Sequence, residues 1–235
     1  MNRNVRTGSI PVPSTKNTDM KKLAFISILF VLSSALSYSQ DFKYEVFGGV
    51  SLPYITYPSS FSYEQTKGTS DMILTGHLGI RAFFPINVNL KDDMFYAAMG
   101  LAFSGKGYKC SSVYRYYKGI EARAWSIDFP FRLGYKFKIN NDFALKAELG
   151  LFGACGLFGK WKDSQDKRNS GQYYDTDNRD TFGCNRVDVG LSGYIGAEFN
   201  RITAGIGYNH GLPSMGALPY HAKSRNILIS VGYLF

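Results

Sequence analysis

The sequence predicts an all-β protein whose eight antiparallel strands, connected up and down, close into a barrel. Three observations lead to this prediction. Large apolar residues occupy every second position of several long segments, most clearly between Arg123 and Ile139, and a period of two is typical of strands with one apolar face. Glycine and charged residues recur on the opposite face. Long polar segments alternate with short turns between the strands, as they do in barrels that cross a membrane.

The first four strands are recognised by their alternation and by the segments that separate them. The first strand ends at a long segment rich in Ser, Thr, Tyr and Pro. A shorter turn region follows Phe84, and a polar, tyrosine-rich loop follows Tyr108. The fourth strand shows the widest contrast between its faces, with large apolar residues at every second position from Trp125 to Phe137. The predicted bounds are 42–52, 72–84, 94–108 and 123–139.

The other four strands repeat this pattern and are joined by two tight turns. Asn140-Asn141 turns the chain between the fourth and fifth strands, and Asn200-Arg201 does so between the sixth and seventh. The longest loop, which is rich in charged residues, Asn and Gly, follows the fifth strand, and a Gly- and Pro-containing loop follows the seventh. This alternation predicts short periplasmic turns and long outer loops. The predicted bounds are 142–158, 186–199, 202–209 and 224–235.

The face that points inward decides between a membrane barrel and a soluble ligand-binding barrel. Eight strands enclose a space that side chains just fill, so Trp, Phe and Tyr from every strand have no room inside. We therefore expect the polar face inside, with its nearly balanced charges in an ion-pair network, since buried charges must be paired. A proton or ion path is the functional alternative. The predicted lumen residues are Glu45, His77, Arg81, Asp128, Arg132, Lys136, Lys146, Glu148, Asp188 and Glu198.

Aromatic residues of the apolar face gather at one end of the predicted strands. With the first strand starting at the periplasm, they form a girdle at the periplasmic rim, where a membrane barrel meets the lipid headgroups. A soluble barrel gives no reason for such a grouping. The predicted girdle consists of Tyr44, Phe84, Phe95, Tyr135, Phe137, Phe143, Phe199, Tyr233 and Phe235.

A targeting segment precedes the barrel. Lys21 and Lys22 form a basic start, residues 23–32 are an unbroken apolar run, and small residues lead to Ser39. This pattern is typical of a cleaved signal peptide, whereas the run is too short for a transmembrane helix. We therefore expect an upstream extension without predicted structure at residues 1–19, a signal peptide at 20–39 and the barrel domain at 40–235.

The charge and cysteine content exclude several classes of function. Removal of residues 1–39 takes away five of the 27 basic residues and one of the 18 acidic ones, which leaves a net charge of +5 without a basic stripe suited to nucleic acid. The chain has no CxxC motif and no His spacing suited to a metal, so no cofactor is expected. Cys110 and Cys184 fall in predicted outer loops and are a possible disulfide in an exported protein. Free thiols are the alternative.

Two loop segments are weak candidates for chemistry. His210, Ser214 and His221 share one outer loop, where a Ser–His pair would suit a lipid-modifying hydrolase, but no third group is evident to orient the imidazole. Residues 175–180 are rich in Asp and Asn like a calcium loop, yet they lack its Gly and its closing Glu at the required spacing. Ordinary loop residues are the simpler interpretation of both.

Four stretches carry a family resemblance: Gly76–Arg81, Phe103–Gly107, Ile127–Phe131 and Val231–Phe235. In them the chain resembles the PorT-type outer-membrane β-barrel family, and the resemblance covers nearly all of residues 41–235. The resemblance implies an eight-stranded barrel in the outer membrane, without catalytic residues, and makes the mid-strand Pro130 part of the family pattern. It also implies that the terminal Phe235 is read by the outer-membrane assembly machinery. Some members act in protein secretion.

We therefore expect a non-catalytic protein of the Gram-negative outer membrane, exported by its signal peptide, with a closed, ion-paired lumen. It would act as a surface anchor whose outer loops bind a protein or glycan, or as a secretion accessory. The alternatives are a lipid-modifying enzyme with an outer-rim Ser/His site and, less favoured, a soluble ligand-binding barrel. Basic residues of the outer segments are candidates to contact outer-membrane lipid and lipopolysaccharide, although such residues more often form a solvated face. They are Lys109, Arg115, Lys118, Lys162, Arg168 and Arg225.

Overall fold

The structure is a computed structural model, and it describes residues 43–56, 69–86, 94–110, 119–163, 170–174, 184–213 and 222–235. The predicted extension at 1–19 and signal peptide at 20–39 lie outside these residues and stay predictions. No helix in the described ranges is long and apolar enough to cross a membrane. The strands are β1 (Lys43–Thr56), β2 (Thr75–Ile86), β3 (Met94–Cys110), β4 (Ile120–Lys138), β5 (Phe143–Asp163), β6 (Ser170–Gln172), β7 (Val187–Phe199), β8 (Ile202–Gly211) and β9 (Lys223–Leu234).

Eight of these strands form one closed antiparallel ring. From β1 to β5 each strand pairs with the next, β5 pairs with β7, and β7, β8 and β9 continue in order. β9 then pairs with β1 and closes the ring. Successive barrel strands are always neighbours, which confirms the predicted eight-stranded, up-and-down barrel.

β6 is a ninth, short strand that the sequence pattern did not predict. It pairs antiparallel with the outer end of β5, where Gln172 lies opposite Lys160 and Ser170 opposite Lys162. Residues 160–163 were expected in the longest loop, and this expectation was wrong, because they continue β5 and stay paired with β4 as far as Ile120. Strand partners on both sides satisfy the backbone groups there despite the polar composition.

Pro130 interrupts the ladder on one side of β4. Met99 lies opposite Phe131 and Ala102 opposite Asp128, whereas the residues between them are not paired across β3 and β4. The pairing of Pro130 with β5 is kept. A proline has no N–H for a ladder bond, so a local gap is the expected consequence.

The barrel is apolar on the outside, and its inner face is polar with a few large aromatic rings. Leu149 is 76% exposed on the outer face, while its neighbour Glu148 is 2% exposed inside. Phe83, Tyr96, Phe152 and Tyr194 are also buried within the ring. These four rings come from four of the eight barrel strands, which agrees with the expectation that rings from every strand would not fit.

Close approach of the backbone explains how two of these rings fit. A Cβ added to Gly134 would lie 2.4 Å from the ring of Tyr96, and one added to Gly205 would lie 2.4 Å from the hydroxyl of Tyr194. Only glycine leaves this space open. These two glycines of the inner face therefore make room for large rings from the neighbouring strands.

A buried cluster lies at the end of the ring that the sequence assigns to the outer side, opposite the turns at 139–142 and 199–202. It combines small residues with large rings from the extended parts of β3, β4 and β5 and from the segment around β6. Tyr108 and Tyr173 are each 1% exposed. The members are Ile55, Tyr108, Cys110, Ile120, Ala122, Ala124, Trp161, Tyr173, Tyr174, Cys184 and Ala222. We call this set the outer cap.

The cysteines lie on both sides of the sheet. Cys110 and Cys184 are buried in the outer cap as free thiols, whereas Cys155 is exposed. Burial raises the pKa of the Cys184 thiol to about 12, so this thiol stays protonated at neutral pH and is a poor nucleophile. The structure therefore carries the thiol form of the two residues considered for a disulfide.

This arrangement predicts a specific labelling pattern. At pH 7.5, a small maleimide that partitions into detergent or lipid should modify the folded barrel at Cys155, which lies on the outward face, but leave Cys110 and Cys184 unmodified. Denaturation without reductant should then add two further labels, measured by mass spectrometry. A protein that gains no label on denaturation until a reductant is added would instead contain the Cys110–Cys184 disulfide.

Candidate functional site

The most densely bonded part of the lumen is built around Arg81 of β2. Its Nε lies 2.7 Å from Glu45 Oε2 and its Nη2 lies 3.1 Å from Glu45 Oε1, which is a bidentate ion pair between β2 and β1. The Thr203 hydroxyl of β8 also donates to Glu45 Oε1. The Arg81 guanidinium packs 4.5 Å from the ring centroid of Tyr194, a distance at which a cation is attracted to an aromatic face.

A second carboxylate connects this pair to the opposite wall of the barrel. Glu148 Oε2 on β5 lies 3.2 Å from Arg132 Nη1 and 3.5 Å from Arg81 Nη1. Its other oxygen accepts a 2.9 Å hydrogen bond from the Tyr96 hydroxyl. Arg132 Nε donates to Ser192 Oγ at 2.9 Å. Glu45, Arg81, Glu148 and Arg132 therefore form one ion-pair quartet from four strands, which we call the central quartet.

Two smaller ion-pair groups lie on either side of the central quartet. Lys136 and Lys146 bind Glu198 through Nζ to oxygen distances of 2.7 and 2.6 Å. In the outer half, Lys106 Nζ lies 2.9 Å from Asp128 Oδ2, and the Ser126 hydroxyl donates to Asp128 Oδ1 at 2.7 Å. The charges thus occupy three levels along the barrel.

Two of the residues that the sequence assigned to the lumen have uncharged partners. Asp188 accepts a hydrogen bond from the Ser224 hydroxyl. The two ring nitrogens of His77 lie 3.0 Å from Ser51 Oγ and 2.9 Å from Ser230 Oγ. Both residues join the hydrogen-bonded lining rather than the ion-pair groups described above.

Sequence reasoning missed several members of the lining. Lys106 follows Ala102 and Ser104 at the same spacing on β3, so continued alternation would have found it. With Lys106 included, the lumen groups and Asp188 contain five acidic and five basic side chains. The contacts of Tyr96 and Tyr194 depend on which strands face each other across the ring, and no local pattern reports this.

The predicted girdle residues lie on the outward face, near the turns at 139–142 and 199–202. Tyr44 stacks on Phe235 with ring centroids 5.3 Å apart, and Phe235 also contacts Tyr233 at 5.0 Å. Phe95 and Tyr135 are 4.8 Å apart. Phe137 and Phe199 are exposed, and Phe84 and Phe143 are partly exposed.

The weak candidates for chemistry are only partly described. His210 is the penultimate residue of β8, with its ring centroid 6.2 Å from that of Tyr208, whereas Ser214, His221 and residues 175–180 lie outside the described residues. Within the described ranges, no group of three His, Cys, Asp or Glu side chains is placed to hold a metal ion. His77 has two serine neighbours, but it is 6% exposed inside the lumen.

One of the basic residues expected to contact lipid is buried instead. Arg225 is 8% exposed and donates from Nη1 to the carbonyl oxygens of Gly211 and Ser224. Its guanidinium is therefore not presented to lipid phosphates. Lys109 and Lys162 are exposed, and Arg115, Lys118 and Arg168 lie outside the described residues.

Comparison with solved structures finds similar barrels. The chain is similar to Ail, the attachment invasion locus protein of Yersinia pestis, with 14% identity and a TM-score of 0.39, over 83% of this chain and 100% of Ail. For Neisserial surface protein A the identity is 12% and the TM-score 0.40, over 82% and 96% of the two chains. For OprG from Pseudomonas aeruginosa the identity is 12% and the TM-score 0.36, over 82% of this chain and 95% of OprG. Sequence identities this low are informative about the fold alone.

Comparison at the sequence level identifies the family. No curated protein matches the chain. The family model described as "Outer membrane protein beta-barrel domain" matches residues 33–215, which is well over half of the chain. The match includes most of the closed ring of strands described above. The chain therefore belongs to the outer membrane protein beta-barrel domain family and is a protein of the outer membrane.

Proposed function

We propose that this protein is a non-catalytic outer-membrane barrel that presents a binding surface at the outer face of the cell and conducts no solute through its lumen. The observation that carries the proposal is the ion-paired filling of the lumen. The extension of three strands beyond the length of a membrane crossing supports the binding role.

The lumen is filled at three successive levels. The Glu198 group, the central quartet and the Lys106–Asp128 pair follow one another along the barrel, and the outer cap lies beyond them. A cavity of about 30 Å³ beside Lys106 and Asp188 has room for water but not for a nutrient-sized solute. Side chains therefore occupy the space that a channel would need.

The strands differ greatly in length, and the excess lies at the outer end. β4 has 19 residues and β5 has 21, whereas β8 has 10. A tilted strand crosses the membrane with about 9–11 residues. The outer parts of β3, β4 and β5, with β6 on their edge, thus extend past the lipid as a paired sheet. A rigid sheet of this kind suits the binding of a partner outside the cell.

The described Ser–His contacts support a structural rather than a catalytic role. Both imidazole nitrogens of His77 already lie within hydrogen-bonding distance of serine hydroxyls. A nucleophilic serine needs a histidine that a third group orients and a substrate that can reach it. Neither condition is met inside a filled lumen. The outer-rim site with His210 stays a hypothesis.

The resemblance to PorT-type barrels supports a more specific version of the proposal. In that version the partner of the projecting sheet or the outer loops belongs to a protein secretion apparatus. The resemblance includes the Ile127–Phe131 stretch of β4, which holds Asp128 inside and Phe129 outside. Loss of secreted proteins from a deletion strain would support it, and unchanged secretion would contradict it.

Glu148 should be essential for stability because two arginines depend on it. Glu148→Ala leaves Arg132 without its acidic partner and takes one of the two acidic partners from Arg81. A buried charge that loses its partner lowers the free energy of unfolding by about 3–5 kcal/mol. Urea unfolding in lipid vesicles measures the loss. The control is Glu121→Ala, which breaks the exposed pair with Arg123 and should cost less than about 1 kcal/mol. Equal effects of the two variants would show that the central quartet does not stabilise the barrel.

Planar-bilayer recordings test the closed lumen. The purified full chain should give no steady ion conductance, because paired side chains and the outer cap fill the barrel. An open porin inserted under the same conditions serves as the positive control. Steady single-channel steps from this protein that disappear with a denatured sample would contradict a closed lumen and favour the ion path.

A further inference from the structure

An aromatic row crosses the outward face of three strands near the outer end of the barrel. Trp125 on β4 lies directly opposite Phe158 on β5. Phe103 on β3 stacks on Trp125, with ring centroids 4.8 Å apart and an interplanar angle of 3°. Phe158 is 58% exposed and Phe103 is 39% exposed. Aromatic rows on the outward face of membrane barrels mark the boundary between hydrocarbon and headgroups.

Three basic side chains lie directly beyond this row on the same face. Arg123 precedes Trp125 by two residues and lies opposite Lys160, which follows Phe158 by two residues. Lys162 lies two residues further out on β5. All three are exposed. Neighbouring strands are about 4.8 Å apart and a two-residue step is about 6.7 Å, so the three cations share one small surface. We call Arg123, Lys160 and Lys162 the outer cationic patch.

The patch keeps a positive surplus after its acidic neighbour is counted. Glu121 lies opposite Lys162 and binds Arg123 through an Oε1 to Nε distance of 2.6 Å. This contact uses the Nε of Arg123 and fixes its guanidinium. Among the described residues, the two Nη groups of Arg123 have no acidic partner within ion-pair distance. Lys109 on β3 also lies opposite Glu121, but we leave it out of the patch because a second acid, Asp71, is its partner in an isolated β-bridge. One acid therefore faces three bases.

We propose that the outer cationic patch binds the phosphate groups of a phosphorylated glycolipid of the outer leaflet, of the lipopolysaccharide type, whose acyl chains lie against the aromatic row. The inference rests on the proposed orientation, with β3, β4 and β5 projecting outward. Among the patch residues only Lys162 belongs to the set expected from the sequence. Arg123 and Lys160 were assigned to no partner.

The position of the outer cationic patch directly beyond the aromatic row favours a lipid over a soluble anion as the ligand. A soluble polyanion needs only the charges, whereas here the charges begin where an apolar, aromatic surface ends. A ligand with phosphates on a sugar headgroup and acyl chains below it matches both parts at once. An arginine recognises phosphate with two parallel N–H groups, and lysines add point charges. Because the patch is exposed, its affinity should fall as the salt concentration rises.

Native mass spectrometry of the full chain in detergent tests the proposal. The probes are diphosphoryl lipid A and the same lipid after enzymatic removal of its phosphates. The wild type should bind the phosphorylated form at least tenfold more tightly. The variant Arg123→Gln/Lys160→Gln/Lys162→Gln should lose this preference. Millimolar inorganic phosphate should not displace the lipid, since it cannot contact the aromatic row.

A matched control removes three charges from the opposite end. Lys43, Lys138 and Arg201 are exposed near the periplasmic rim, and Lys43→Gln/Lys138→Gln/Arg201→Gln should keep the preference for phosphate. Retained heat-modifiable migration on a gel shows that both variants fold. The proposal is overturned if the patch variant keeps the preference, if the control loses it equally, or if inorganic phosphate displaces the lipid. A planar-bilayer result on the lumen is independent of all three outcomes.

Discussion

A barrel surrounded by lipid must satisfy its interior charges from within, and this constraint determines the arrangement around Arg81. The guanidinium binds Glu45 on β1 and Glu148 on β5 and packs on Tyr194 of β7. Arg132 on β4 completes the central quartet. Five of the eight barrel strands are therefore connected through Arg81, its three partners and Arg132, which is joined to them by Glu148. Each charge is compensated by a specific neighbour, so a shift in the register of any of these strands would leave a charge unpaired.

The same filling that stabilises the barrel removes the space a transporter would need. Gly134 and Gly205 let the rings of Tyr96 and Tyr194 lie against the backbone of the neighbouring strand. The two rings occupy the volume between the ion pairs. In the proposed function, binding is therefore left to the outside of the wall. There β3, β4 and β5 carry the aromatic row, and β4 and β5 carry the outer cationic patch beyond it.

Alternation located the strands, because side chains on a strand change face at every residue, and the recurring polar face with the loop lengths predicted the ring. Position on a strand also indicates which face a residue such as Glu148 occupies. It does not indicate that Glu148 meets Arg81 three strands away, because this contact depends on the tilt and stagger of the closed sheet. The segment around β6 was predicted as loop because its composition is polar, and its pairing with β5 is a tertiary effect. The burial of Tyr173 and Cys184 in the outer cap was not predicted for the same reason.

The apolar face of β4 points to lipid and its charged face to the lumen, and the two tryptophans of the chain report on this arrangement directly. Trp125 lies on the outward face, whereas Trp161 is 5% exposed in the outer cap. Single-tryptophan variants, Trp161→Phe and Trp125→Phe, would be reconstituted in vesicles with brominated acyl chains. We expect strong quenching of Trp125 and little quenching of Trp161. A correctly folded, inserted barrel in which Trp125 is not quenched would instead have its aromatic face inside.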